Sequence, residues 1–119
     1  MNPEELHTYR RWLRSRIPIL GWWLRGRAIA ALAQDGSAQT VTQLADAVLE
    51  DCLDEAEHER LSRAIVRWRP PLRALFYFLT EQWEKYETLD LDRSLLRAIY
   101  QTADHALRQR IMEQARRAG

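Results

Sequence analysis

Apolar residues recur at spacings of three and four along nearly the whole chain. No stretch shows the period-two, β-branched alternation of a half-buried strand. That periodicity confines the sequence to an all-α fold, and the punctuation agrees. Asn2, Pro3 and Glu5 supply an N-cap, a proline at the first helical position and an acid at the third. Leu6, Tyr9, Leu13 and Ile17 continue as one stripe, which Pro18 ends or kinks. A second helix runs from about Pro18 to Gln34. It is apolar on most sides, through Leu20, Trp22, Trp23, Leu24, Ala28, Ile29 and Leu32, and is expected to be the most buried. Asp35 and Gly36 stop it.

Thr40 to Gln43 reads as a capping box with Thr40 as the cap. Val41, Leu44, Ala45, Val48, Leu49 and Cys52 are the expected buried stripe of the third helix. Asp54 to Glu57 is a second box-like start, followed by Leu61, Ala64, Ile65 and Trp68 on the fourth. Pro70 and Pro71 open a fifth, with a stripe of Leu72, Leu75, Phe76, Leu79, Trp83 and Tyr86. Phe76, Leu79 and Trp83 are expected in the core. Tyr77 and Phe78 lie off that stripe, so at least one needs cover from another element or a partner. Asp92 is the expected cap of a sixth helix bearing Leu95, Leu96, Ile99 and Tyr100. A break at 102–104 leads to a seventh with Leu107, Ile111 and Ala115. About seven short helices with tight turns predict antiparallel hairpins in one domain over 1–119. They would form a HEAT-like helical-repeat stack or a compact orthogonal bundle.

The length suffices for this without staples, since 119 residues bury roughly 65% of their unfolded surface. Cys52 is the single cysteine, so no intrachain disulfide forms. The acidic N-terminal segment does not read as a secretory n-region. The longest apolar run, residues 19–24, is far short of the ~20 residues of a membrane span. A cytoplasmic setting is expected.

The segment LRALFYFLTEQWEKYETLD at 72–90 is distinctive. With Ser94-Leu95-Leu96-Arg97-Ala98 and Arg108-Gln109-Arg110-Ile111, it resembles the helical region of large bacterial proteins that join HEAT-like repeats to a WD-repeat propeller. The resemblance covers mainly residues 68–119. It implies an interaction scaffold without an active site, here either part of a larger parent chain or a small stand-alone relative.

Motifs that carry chemistry are weak. Glu55 and His58 have the Glu-x-x-His spacing of carboxylate metal sites, but the matching position before His105 is Thr102, so the second copy is missing. Glu55, Glu57 and Glu59 read instead as a solvated acidic first turn. Cys52 falls on an apolar stripe and reads as a small buried hydrophobe. No phosphate loop or nucleophile elbow is present. No catalytic residue, metal or other cofactor is expected.

The charges are more informative. The net charge is +1, and 17 of the 18 basic residues are arginine. Residues 1–34 carry six arginines against two glutamates; residues 35–59 carry eight acids and no base. Residues 60–73 then hold five arginines and no acid, 74–92 sum to −4 and 93–119 to +4. Neighbouring helices of opposite sign can attract one another or a partner. Trp, Tyr and Arg dominate interface energies, which makes Arg10, Arg11, Trp12, Arg14, Trp22, Arg25, Trp68, Arg69 and Tyr77 the candidate partner-binding residues. The expected function is a non-enzymatic scaffold that binds a protein or the rest of its own parent chain. Nucleic acid or an anionic membrane surface, bound through the Arg- and Trp-rich N-terminal helices, is the alternative and ranks below a protein partner.

Overall fold

Side-chain caps set the helix starts. Asn2 Oδ1 accepts from the Glu5 amide at 2.8 Å, with Pro3 in the first turn, and α1 spans Pro3–Leu13. The helix ends four residues before Ile17, which is exposed rather than part of the buried stripe. The computed structural model describes residues 1–17 and 19–118, so the break expected at Pro18 lies outside the described residues. α2 spans Leu20–Asp35 and is closed by Gly36 in the left-handed conformation, φ 59°.

Ser37 follows at once and caps α3, Ala38–Leu49. Ser37 Oγ accepts from the Thr40 amide at 3.3 Å, and Thr40 Oγ1 accepts from the Ser37 amide at 3.0 Å. Thr40 is therefore the inner member of the capping box, not its cap. Gly36 turns the chain so tightly that Ser37 already stands in the capping position. α4, Glu55–Ile65, starts as predicted, with reciprocal bonds between Asp54 and Glu57 of 2.8 and 2.9 Å.

The expected fifth helix is two: α5, Pro70–Leu79, and α6, Trp83–Leu89. Thr80 Oγ1 donates back to the Phe76 carbonyl at 2.7 Å, and Glu81 adopts a positive φ of 60°. The bend serves packing. It brings Phe78 edge-on to Trp83 at 5.4 Å and to Tyr86 at 5.3 Å, so the ring off the α5 stripe is buried as well. α7 spans Ser94–Thr102 and α8 His105–Ala118. Eight helices and no strand are thus found among the described residues, and the fold is all-α. None of these helices is long and apolar enough to cross a membrane.

The chain divides into two compact units, Met1–Trp68 and Arg69–Gly119. In the first, α2 packs on α1, α3 and α4. Leu13, Ala28, Ile29, Leu32, Leu44 and Leu61 are buried, as is Cys52. Trp68 Nε1 donates to the Ala33 carbonyl at 2.9 Å. Leu49, expected on the buried stripe, is exposed. In the second unit α5 packs on α6 and α7, and α8 on α7. α5 buries Ala74, Leu75, Phe76, Phe78 and Leu79. It holds more buried side chains than α2, whose N-terminal half is largely exposed. On α8 Ala115 is exposed and Gln114 is buried, donating to Glu81 Oε1 at 3.1 Å.

Asp90, not Asp92, is the principal acceptor at the start of α7. Its carboxylate accepts from the Leu95 and Leu96 amides at 3.0 and 3.1 Å and from the Tyr86 hydroxyl at 2.8 Å. Asp92 accepts from the Ser94 amide at 3.0 Å. Burial first, then the bond to Asp90 and its charge, push the Tyr86 phenol up to about 12. The folded state therefore holds this proton more tightly than the unfolded chain. Tyr86 should stabilise the unit fully below pH ~10, the ordinary phenol value, and progressively less as pH rises towards 12. Tyr86→Phe should cost about 1.5–3 kcal/mol, the value of a hydrogen bond to a charged group. It should also flatten that alkaline decline. Urea unfolding followed by circular dichroism at pH 7 and above pH 10 reads both effects.

Candidate docking surface

The second helix is expected to be the most buried, yet the N-terminal half of α2 is the most exposed apolar stretch of the first unit. Ile19 is 86% exposed, Trp22 53% and Trp23 50%; Ile17 and Leu20 are also exposed. The periodicity misled because residues 19–24 are apolar all round, a pattern that marks burial only if enough neighbours surround the helix. Here α1, α3 and α4 cover Gly21, Ala28, Ile29 and Leu32 and leave the outer side bare. Contiguous exposed apolar side chains of this size mark interaction sites more often than inert surface.

Two arginines fix this corner. Arg25 Nε donates to both carboxylate oxygens of Glu57, at 3.0 and 3.1 Å, while Arg25 Nη1 donates to the Ser15 carbonyl at 2.6 Å. The chain leaving α1 is thereby tied to α2 and, through Glu57, to the first turn of α4. Arg14 Nη2 adds a 2.6 Å ion pair to Glu50 at the end of α3. Both pairs join the basic block of residues 1–34 to the acidic block that follows, so the alternation of sign is used within the fold. Glu57 is only 2% exposed. The reading of Glu55, Glu57 and Glu59 as one solvated turn therefore fails for Glu57, whose carboxylate both closes the α4 capping box and neutralises Arg25.

Close approach at the corner requires a glycine. A Cβ at Gly21 would lie 3.1 Å from Ser15 Oγ, 3.2 Å from Arg25 Nη1 and 3.2 Å from the Ser15 carbonyl oxygen. Gly21→Ala should thus destabilise the unit by about 1 kcal/mol net, the overpacking cost exceeding the gain in helix propensity. The shift in urea midpoint measures it. Ile19 itself sits at φ 65°, ψ −62°, a costly conformation for a β-branched residue. Strain of that kind persists only where its surroundings enforce it, and here it turns an isoleucine outward.

The candidate residues separate into four groups. Trp22 is at the exposed corner. Arg10 and Arg11 are exposed in the last turn of α1, which packs on α2; Trp12 is half-buried, edge-on to Tyr9 at 5.3 Å. Arg14 and Arg25 are committed to Glu50 and Glu57, and Trp68 is 8% exposed and hydrogen-bonded to Ala33. These three side chains are engaged within the first unit. Arg69 and Tyr77 belong to the second unit: Arg69 is exposed ahead of α5, and Tyr77 is half-buried with Lys85 Nζ 5.8 Å from its ring centroid.

Sequence reasoning passed over Ile17, Ile19, Leu20 and Trp23 as site residues. The signal that marks them is the run of unlike apolar residues beside a proline, which an amphipathic helix does not need. Arg16 and Arg27 flank the run and are exposed, with the Arg27 guanidinium 5.2 Å from the centroid of Trp23. Arg10, Arg11, Arg16 and Arg27 form no ion pair among the described residues. The corner is therefore an apolar knob beside uncommitted positive charge. Comparisons with protein-family models, with curated proteins and with solved structures found no match.

Proposed function

We propose that the protein is a non-enzymatic helical scaffold for protein–protein interaction, and that its first unit docks through the corner formed by Ile17 and residues 19–23. The partner would offer an apolar recess with an acidic rim, received by Trp22, Trp23, Leu20 and Ile19 and by Arg10, Arg11, Arg16 and Arg27. The single observation behind this reading is the exposure of two tryptophans and three aliphatic side chains at a corner flanked by the Arg25–Ser15 and Arg14–Glu50 contacts. A preformed apolar anchor loses little conformational entropy on binding. The likeness of residues 68–119 to HEAT-like regions joined to WD-repeat propellers is part of the same proposal, as is a bacterial cytoplasmic setting.

An anionic membrane surface is the second reading. It is favoured by the pairing of interfacial tryptophans with arginine, and each basic residue near an acidic leaflet adds about 1 kcal/mol. Two experiments separate the readings. A photo-reactive amino acid at Leu20 should give, in cells, a discrete protein adduct that excess unlabelled chain competes away. Sedimentation with vesicles containing phosphatidylserine should show no enrichment over neutral vesicles. Absence of any saturable adduct would overturn the protein reading, and strong salt-sensitive vesicle binding would establish the membrane one in its place.

A further inference from the structure

The second unit contains a feature that the docking corner does not use: a cavity of about 580 Å³ between α6, the start of α7 and α8. That volume is within the range of small-molecule sites, about 300–1,000 Å³. One wall is the aromatic cluster of Phe78, Trp83 and Tyr86, in mutual edge-to-face contact at 5.3–6.4 Å. Phe78 and Tyr86 are buried and Trp83 half-buried, so the rings are held before anything binds. α8 contributes Ala115 and Ala118 to the lining, one turn apart, where larger side chains would fill the space. That helix is anchored: Gln114 bonds to Glu81 and accepts from Arg117 at 3.0 Å.

Two charged groups of opposite sign complete the lining, Glu87 and Arg93. Both are exposed, and neither forms an ion pair among the described residues. Arg93 is held in the left-handed conformation, φ 62°, its guanidinium carbon 5.9 Å from the Tyr86 ring centroid. Its backbone amide donates to the carbonyl of Asp90, whose carboxylate caps α7 and takes the Tyr86 hydroxyl. The backbone that carries this cation is therefore fixed beside the aromatic wall.

We propose that this cavity binds a small zwitterion with a planar apolar body, of the aromatic amino-acid class. Arg93 takes the carboxylate, for which its planar fork is suited. Glu87 takes the ammonium, and the ring lies against Trp83, which Phe78 and Tyr86 hold from behind, and the two alanines. The paired charges decide the class. Glu87 disfavours a plain anion and Arg93 a plain cation, whereas an uncharged hydrocarbon satisfies neither.

The test uses the intact chain, with L-phenylalanine, phenethylamine, 3-phenylpropionate and L-alanine followed by amide chemical-shift changes. L-Phenylalanine should bind saturably at about 1 mM or tighter, with shifts confined to α6, α7 and α8. Each analogue, lacking one charge or the ring, should bind about tenfold more weakly, as should Arg93→Asn and Glu87→Gln. Asn tolerates the left-handed backbone, so the first substitution removes the guanidinium and spares the turn. Ala115→Leu should abolish binding by filling the cavity while the helical circular dichroism is unchanged. Absence of saturable shifts, equal affinity for phenethylamine, or undiminished binding by the Arg93 and Glu87 variants would each overturn the proposal.

Discussion

Glu57→Ala is expected to destabilise the first unit by about 3–5 kcal/mol, the cost of leaving one member of a buried ion pair without its partner. The size follows from what the carboxylate does. It accepts from Arg25 Nε through both oxygens and from the Asp54 amide, and is almost wholly buried. Removal strands a guanidinium that is itself only 14% exposed and opens the α4 capping box. Arg25→Ala should be of similar size, because it strands the carboxylate and releases the Ser15 carbonyl. A double substitution, Arg25→Met with Glu57→Leu, should recover most of the loss, since well-packed apolar groups often replace a buried pair at little cost. Glu59→Ala is the contrasting control. Its 2.6 Å contact with Arg63 is an exposed i,i+4 pair, worth about 0.3–0.5 kcal/mol. Urea unfolding monitored by circular dichroism gives all four values, and recovery in the double variant would locate the loss in the unpaired buried charge.

The second large effect concerns binding. Trp22→Ser with Trp23→Ser should lower affinity for the docking partner by about a hundredfold or more, since buried tryptophan anchors are worth about 2 kcal/mol or more each. Stability should stay within about 0.5 kcal/mol, as expected for exposed positions. Opposite behaviour, a fall in stability with binding kept, would show that the tryptophans serve the fold.

Local chemistry explains which features were legible in the sequence. The Asn2 cap, the Asp54–Glu57 box, the stop at Gly36 and the start at Pro70 each depend on a few adjacent residues, and each stands where the periodicity placed it. Burial of Leu61, Ile65 and Trp68 likewise follows from one stripe meeting one core. Features that depend on distant residues were not legible. Glu55, Glu57 and Glu59 look alike along the helix, and only the arrival of Arg25 from 32 residues away distinguishes the middle one. Asp90 and Asp92 are equally plausible caps for α7 by spacing. Tyr86 decides between them by lying where its hydroxyl reaches Asp90.

The exposed corner of the first unit shows the same limit from the other direction. A segment apolar on all sides predicts burial, yet the first unit supplies three covering helices and they leave the outer side of Trp22 and Trp23 uncovered. The arginine excess also separates once partners are known. Arg14 and Arg25 hold the chain at the corner, while Arg10, Arg11, Arg16 and Arg27 remain at the surface around it. The alternating charge blocks therefore serve first to join α1 and α2 to α3 and α4.

That the first unit docks a protein through its apolar corner is tested most directly by competition. Adduct formation from a photo-reactive residue at position 20 would be measured against increasing concentrations of unlabelled chain, either unaltered or carrying Trp22→Ser and Trp23→Ser. The expected result is full suppression by the unaltered chain and none by the doubly substituted one, with both equally stable to urea. Equal suppression by the two chains would contradict it.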